Sequence, residues 1–269
     1  MNEKLIEEFK QCEEVEALVL GGSRATGVHD KDSDFDYYVY LKKPFDESRR
    51  RSIIDKYVQY MEYSNSFWEL EDDGILNNGI DIELIYRSVD DIDKMLENVL
   101  VKGNVSNGYT TCFVDNLMKS KVIFDKTGCI ADLRNKYTPL LNEDLYKKII
   151  VNNFPLLLDK MPSMFYQVEK AIKRNDNISI NHRVTAFIEI YFDILFALNK
   201  TTHPGEKRLL EIALLLDKKP NKMKEDLNDL FNMMFRKNEH VLQILESMVI
   251  NLHQILLSEG YKLSIRSYK

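Results

Sequence analysis

The sequence predicts an α+β protein in which a small domain with a mixed β-sheet precedes an all-helical bundle domain. Two observations support this fold class. Short segments rich in β-branched and aromatic residues, which are typical of strands, end by about residue 125 of the 269-residue chain. Beyond about residue 140, only long helical patterns of Leu, Ile, Met and Phe follow, broken at prolines and at a glycine. We therefore expect a first domain over residues 1–140 and a second over 141–269.

The elements of the N-terminal half follow from hydrophobic spacing and from turn residues. Apolar residues at helical spacing predict an opening helix, and the stretch VEALVL that follows predicts a strand ending at a Gly-Gly-Ser turn. In chain order the patterns predict a helix over 5–12, strands at Val15–Leu20 and Asp34–Leu41, a helix at Ser48–Tyr63, a strand at Asp81–Tyr86, helices over 88–101 and 108–119, and a strand at Lys121–Phe124. Trp68, beside Phe67, is expected in the core, and the alternatives are a ligand-facing position, stacked on a base or lining a pocket.

Composition narrows the class of protein. The chain has 43 acidic and 37 basic side chains and a formal net charge of −6, which argues against a nucleic acid as the partner. No apolar run approaches the roughly 20 residues that span a bilayer, so we expect a soluble protein without a membrane partner. The three cysteines lie far apart and the N-terminus lacks a secretory pattern, which favours the cytoplasm.

The turn after the first strand is suited to an anion. Because glycine has no Cβ, the backbone N–H groups of Gly22 and Ser23 can approach a phosphate closely. Arg24 directly follows and is expected to reach a phosphate oxygen in a bidentate way. The alternative for Gly21, Gly22 and Ser23 is a simple turn without a ligand.

Acidic residues on two predicted strands form a candidate metal site. Asp34 and Asp36 stand two apart, so a strand would direct both to one face. Two carboxylates on one face repel each other unless a cation lies between them, and oxygen ligands suit Mg²⁺. The strand at 81–86 offers a third acid, since Asp81 and Glu83 also share a face. Alternation alone does not choose between these two.

These residues carry a family resemblance. Gly22 and Ser23, then Asp34 and Asp36 after a ten-residue spacer, and then Asp81 in a hydrophobic strand resemble the nucleotidyltransferase signature of the DNA polymerase β superfamily. The layout of a catalytic half and a helical half resembles the antibiotic nucleotidyltransferases that act on aminoglycosides and lincosamides. It is also similar to uncharacterised bacterial proteins with the same catalytic half.

The resemblance implies a reaction and a set of roles. Asp34, Asp36 and Asp81 would hold two Mg²⁺ ions, with Glu83 left open as the third acid, and Gly22 and Ser23 would bind the triphosphate of an NTP. The expected reaction transfers a nucleoside monophosphate, AMP from ATP, to a hydroxyl of a small molecule, for which an antibiotic is one candidate, and releases pyrophosphate. The alternatives are a protein AMP-transferase of the antitoxin type and a catalytically silent nucleotide-binding protein. A monomer and a homodimer are both open.

The helical half offers three further charged candidates. Glu189 and Asp193 stand four apart in an apolar helical pattern, so they lie either on its solvent face or in a cleft, where Glu189 would act as a general base. Lys207 is placed by the pattern in the first turns of a helix beginning near His203. A lysine there opposes the helix dipole, which a nucleotide phosphate as its partner would explain, and a simple exposed charge is the alternative.

Overall fold

The chain forms two compact units in a computed structural model that describes residues 2–26, 33–236 and 239–265. Unit 1 comprises Met1–Val101 and Phe113–Pro139, and unit 2 comprises Lys102–Cys112 and Leu140–Lys269. The segment Lys102–Cys112, which the sequence-based boundaries assigned to the first domain, therefore belongs to the second unit. Its hydrogen bonds to the helices of that unit, described below, give the physical reason.

Unit 1 contains a six-stranded sheet with flanking helices. Its elements in chain order are α1 (Asn2–Gln11), β1 (Val15–Leu20), α2 (Gly22–Thr26), β2 (Phe35–Leu41), α3 (Glu47–Ile54), β3 (Val58–Asn65), β4 (Leu70–Leu76), β5 (Asp81–Ser88), α4 (Val89–Leu100), α5 (Cys112–Lys119), β6 (Lys121–Asp125) and α6 (Cys129–Tyr137). The strand order is β3-β4-β5-β2-β1-β6. Only the β2–β5 pair is parallel among these neighbours, so the sheet is mixed and the predicted fold class is confirmed.

The two faces of the sheet have different roles. Tyr37 and Val39 on β2, and Ile82 and Leu84 on β5, are buried in the apolar core, to which α1 also contributes. Because side chains alternate along a strand, Asp36 and Glu83 lie on the opposite face. The hydrophobic packing of one face thus fixes where the polar residues of the other face point.

The structure corrects three expectations for unit 1. The predicted helix at Ser48–Tyr63 ends at Ile54, and its second half is the edge strand β3. The strand β4 (Leu70–Leu76), which pairs with β3 on one side and β5 on the other, was not predicted. Trp68 is 90% exposed rather than buried, because it lies in the connection between β3 and β4.

A buried ion pair lies on the core side of the sheet. The guanidinium of Arg50 lies 3.1 Å from a carboxylate oxygen of Asp72, and both side chains are almost fully buried. Arg50 also donates to the Ser64 hydroxyl and lies 4.5 Å from the centre of the Tyr86 ring. Tyr86 in turn donates to Asp72 at 2.7 Å. Burial of such charges is tolerated only when they are paired in this way.

Unit 2 is helical, and the described residues beyond 140 contain no strand, as expected. A short 3-10 turn, Thr138–Leu140, precedes its main helices. These are α7 (Glu143–Leu157), α8 (Met164–Lys173), α9 (Asn177–Leu198), α10 (Leu209–Leu214), α11 (Met223–Met233) and α12 (Glu239–Ser258).

One part of α12 bears on the membrane prediction. His240–Ser258 is long and apolar enough to cross a bilayer by length and composition alone, with a mean hydropathy of 1.3. The expectation that no apolar run approaches the length of a membrane span therefore did not hold for the described residues. The helix packs against α8 and α11, and Val241, Leu245 and Leu252 along it are fully buried, while 33% of the apolar segment as a whole is buried.

The segment Lys102–Cys112 is tied to unit 2 by buried hydrogen bonds. The Thr110 amide and hydroxyl both donate to the Asp193 carboxylate, at 3.0 and 2.7 Å. The Asn153 side chain donates to the same carboxylate and to the Ser106 carbonyl, each at 2.9 Å. Thr111 accepts a bond of 2.8 Å from the amide of buried His203. These contacts hold the segment against residues that follow much later in the chain.

Candidate active site

The Gly-Gly turn lies against the strand that carries the acids. The Gly21 amide donates to the Asp36 carbonyl at 2.8 Å, so the turn after β1 is bonded to the start of β2. Gly22 has a φ of +60°, a left-handed conformation that favours glycine. A Cβ at Gly22 would lie 2.9 Å from Cγ of Asp36 and closer still to its Oδ2. Glycine is therefore required at position 22 both by the backbone and by the neighbouring carboxylate.

Three carboxylates meet beside this turn. Oxygen atoms of Asp34, Asp36 and Glu83 lie within 4.8 Å of one another. Asp36 is 6% exposed, whereas Asp34 and Glu83 are partly exposed. Like charges this close repel, and three oxygen donors are the set that a hard divalent cation takes. The residues present thus fit a metal such as Mg²⁺.

Strand register explains which third acid joins the group. In the parallel β2–β5 pair, Asp36 lies opposite Glu83. Asp81 is two residues earlier, opposite Ile75 of β4, and its side chain is exposed. The structure therefore brings Glu83 to Asp34 and Asp36 and leaves Asp81 outside the group. Asp81 and Glu83 share a face of β5, as expected, but only Glu83 is the register partner of Asp36.

Arg24 contacts the backbone that precedes β2. Its guanidinium donates to the Ser33 carbonyl at 2.5 and 2.9 Å and to the Asp34 carbonyl at 2.9 Å. It also lies 4.0 Å from the centre of the Phe35 ring. The donors predicted to reach a phosphate are thus used to hold the chain beside Asp34. The side chain of Ser23, predicted to bind phosphate, lies outside what the structure describes.

The candidates in unit 2 differ in their surroundings. Asp193 is 2% exposed, and burial raises its pKa to about 6 despite the bonds from Thr110 and Asn153. The solvent-face interpretation is therefore wrong for Asp193, and its carboxylate has a structural role. Glu189 is partly buried, which raises its pKa, and Gly108 packs against it.

Lys207 does not lie in a helix. It occupies the turn before α10, which begins only at Leu209, because Arg208 adopts a φ of +55°. The argument from the helix dipole therefore does not apply to Lys207. Its role in nucleotide binding stays a prediction that rests on sequence position.

Two residues that the sequence did not single out support the turn. A Cβ at Gly21 would lie 2.5 Å from Cε2 of Tyr38 and 3.5 Å from Nδ2 of Asn116. Tyr38 is two residues beyond Asp36 and so shares its face of β2. No local pattern marks either residue, because the contact depends on how α5 packs against the sheet.

The fold and site together define a class of protein. Two acids lie at the start of the second strand of a mixed sheet, Asp34 just before it and Asp36 within it. A third acid, Glu83, is opposite Asp36 on the parallel neighbour, and a glycine turn lies beside them. This is the arrangement predicted for nucleotide transfer. Residues 2–88 match the family model described as nucleotidyltransferase domain. Unit 1 therefore contains a nucleotidyltransferase domain, which confirms the resemblance inferred from the signature residues.

Other comparisons concern the remainder of the chain and the whole structure. Residues 111–209 match a domain of unknown function (DUF4037). No curated protein matches the chain. A nucleotidyltransferase-like protein from Exiguobacterium sibiricum 255-15 aligns with 12% identity and a TM-score of 0.42, over 96% of this chain and 73% of that one. An aminoglycoside 6-adenyltransferase from Bacillus subtilis aligns with 10% identity and a TM-score of 0.34, over 98% and 92%.

Proposed function

We propose that this enzyme transfers a nucleoside monophosphate, AMP from ATP, to a hydroxyl of a small molecule in a Mg²⁺-dependent reaction. The observation that carries the proposal is the group of three carboxylates within 4.8 Å beside a glycine turn in a nucleotidyltransferase domain. The acceptor oxygen forms a bond to the α-phosphorus, the bond from that phosphorus to the bridging oxygen breaks, and pyrophosphate leaves. The hydroxyl proton passes to a base.

We assign the metal ligands to Asp34, Asp36 and Glu83. Mg²⁺ bound there, as two ions, would supply stabilisation of the charge that develops during in-line displacement at phosphorus. Glu83 takes the place for which Asp81 was favoured, since Glu83 is the acid opposite Asp36. The backbone of Gly22 and Ser23 would bind the triphosphate, and Arg24 would keep Asp34 in position through its carbonyl.

Glu189 is the base that we propose for the acceptor's proton. Burial raises its pKa, so its carboxylate accepts a proton more readily than an exposed one. In this role, kcat should fall in Glu189→Gln while the affinity for NTP is unchanged.

A small-molecule acceptor is favoured over a protein because antitoxin-type enzymes resemble the catalytic domain alone, whereas this chain adds a helical unit. A cytoplasmic location agrees with the lack of a disulfide among the three cysteines.

The proposal is tested by pyrophosphate release. The protein is incubated with each NTP, Mg²⁺ and a panel of amines, sugars, nucleosides and antibiotics that carry hydroxyls, and the acceptor is analysed by mass spectrometry. We expect one acceptor to gain the mass of a nucleoside monophosphate. Asp36→Asn and Glu83→Gln should abolish this gain, whereas Asp81→Asn, on the same face of the same strand, should retain it.

Three outcomes would contradict parts of the proposal. Equal background release by wild type and Asp36→Asn with every acceptor would refute catalysis and favour a silent nucleotide-binding protein. Labelling of a protein instead of a small molecule would replace the acceptor class. Loss of activity in Asp81→Asn together with full activity in Glu83→Gln would reverse the assignment of the third ligand.

A further inference from the structure

A buried arginine stands behind the glycine turn, on the same face of the sheet as the acids. Arg87 is at the end of β5, on the face that carries Glu83, and is 7% exposed. Its Nε and Nη2 donate to the two carboxylate oxygens of Glu69 at 2.7 and 2.6 Å. Its Nη1 donates to the side chain of Asn116 at 2.8 Å. Three hydrogen bonds in one plane fix the orientation of the guanidinium.

The guanidinium in turn fixes the aromatic ring on which the turn rests. Its central carbon lies 4.0 Å from the centre of the Tyr38 ring, within the range of a cation–π interaction. Asn116, whose side chain accepts from Arg87, is the second group held by this guanidinium. The Tyr38 ring and the Asn116 amide are the atoms nearest to the position that a Cβ at Gly21 would take.

We propose that Arg87, held by Glu69, is a positioning residue for the phosphate turn, acting through the Tyr38 ring. The inference rests on the proposed function, because it assumes that the turn binds the nucleotide. A shift of the Tyr38 ring would leave space behind Gly21, and the amides of the turn would move away from the phosphate.

Arg50 provides a matched control on the opposite face of the sheet. Arg50 is also buried, pairs with a carboxylate and lies over a tyrosine ring, that of Tyr86. Tyr86 and Arg87 are consecutive on β5 and point to opposite faces. Replacing either arginine by lysine removes the planar fork and keeps the charge, but only Arg87 contacts the side chains behind the turn.

The test is equilibrium binding of α,β-methylene ATP with Mg²⁺, measured by calorimetry on the full chain. We expect Arg87→Lys to raise the Kd about tenfold, because phosphate contacts lose their geometry. Arg50→Lys should lower the melting temperature to a similar extent and leave the Kd within about twofold, since it alters packing without touching the turn. An equal rise of the Kd in both variants would show general loosening and would overturn the inference.

A second pair of variants separates the ring from its hydroxyl. Tyr38→Leu removes the ring and should raise the Kd as Arg87→Lys does, whereas Tyr38→Phe keeps the ring and should raise it far less. Equal effects in these two variants would contradict action through the ring. If Arg87→Lys binds the analogue as tightly as wild type does, the positioning role of Arg87 is refuted and the proposed function is not. If wild type binds no NTP analogue with Mg²⁺, the proposed function itself fails.

Discussion

Replacing Gly22 by alanine tests the central geometry of the site. Gly22 combines a φ of +60° with an approach to Asp36 so close that an added Cβ would lie 2.9 Å from its Cγ, where ordinary contacts are 3.4–4 Å. The added carbon would be nearer still to Oδ2, so either the carboxylate or the turn must move by on the order of 1 Å. The substitution thus displaces the proposed metal ligand Asp36 or the proposed phosphate turn without removing any functional group.

The expected magnitude follows from these two features. A misplacement of about 1 Å in an active site lowers the rate by about 100-fold, so we expect kcat/KM for the NTP to fall by about that factor. Alanine in the left-handed region costs about 1–2 kcal/mol, so the free energy of unfolding should decrease by a similar amount. The enzyme should remain folded.

Gly79→Ala is the matched control. Gly79 has a φ of +81° in the turn between β4 and β5, and a Cβ there would meet no atom within 4 Å. The backbone strain is therefore comparable and the clash is absent. Urea denaturation should show a loss of stability in both variants, somewhat larger in Gly22→Ala because of the clash, and pyrophosphate release should fall only in Gly22→Ala. The reasoning is refuted if Gly22→Ala is as active as Gly79→Ala.

Three further predictions concern stability and exposure. Burial raises the pKa of the Asp193 carboxyl to about 6 from 3.8. The folded state therefore binds this proton more tightly than the unfolded state, and the free energy of unfolding falls by roughly 3 kcal/mol as the pH rises from about 4 to about 6. In urea denaturation, Asp193→Asn should remove this fall. Asp72→Ala leaves Arg50 buried without its carboxylate and should cost about 3–5 kcal/mol by the same assay, more than Asp91→Ala on the exposed face of α4. Trp68 is the only tryptophan of the chain and is 90% exposed. Its fluorescence should have the emission wavelength of water-exposed indole, and acrylamide should quench it in the native protein as readily as in urea. A blue-shifted emission protected from acrylamide would contradict this exposed position.

Elements with a strong local pattern could be predicted from the sequence, and those made by pairing could not. VEALVL is entirely apolar apart from one glutamate, and the strand Val15–Leu20 has the predicted bounds. By contrast, β3 has the sequence VQYMEYSN, half of which is polar, because it is an edge strand with much of its surface exposed. Its pairing with β4 stabilises a strand where the local pattern continues the preceding helix.

The same limit applies to the candidate site. Spacing predicted that Asp34 and Asp36 act together and that a third acid comes from the strand at 81–86. The choice of Glu83 over Asp81 depends on the register of two parallel strands, which are more than 40 residues apart in the chain. The use of Arg24 on carbonyl oxygens likewise depends on where the chain returns to the sheet.

The attachment of Lys102–Cys112 to unit 2 has a consequence for biosynthesis. Thr110 leaves the ribosome 83 residues before its partner Asp193, and the segment interrupts unit 1 between Val101 and Phe113. Because domains fold in order as the chain emerges, unit 1 can complete its sheet once β6 is synthesised, with this segment still an open loop. The helices of unit 2 then capture the loop after synthesis reaches α9. The order of translation thus allows the sheet of unit 1 to form before the loop that interrupts it is held by unit 2.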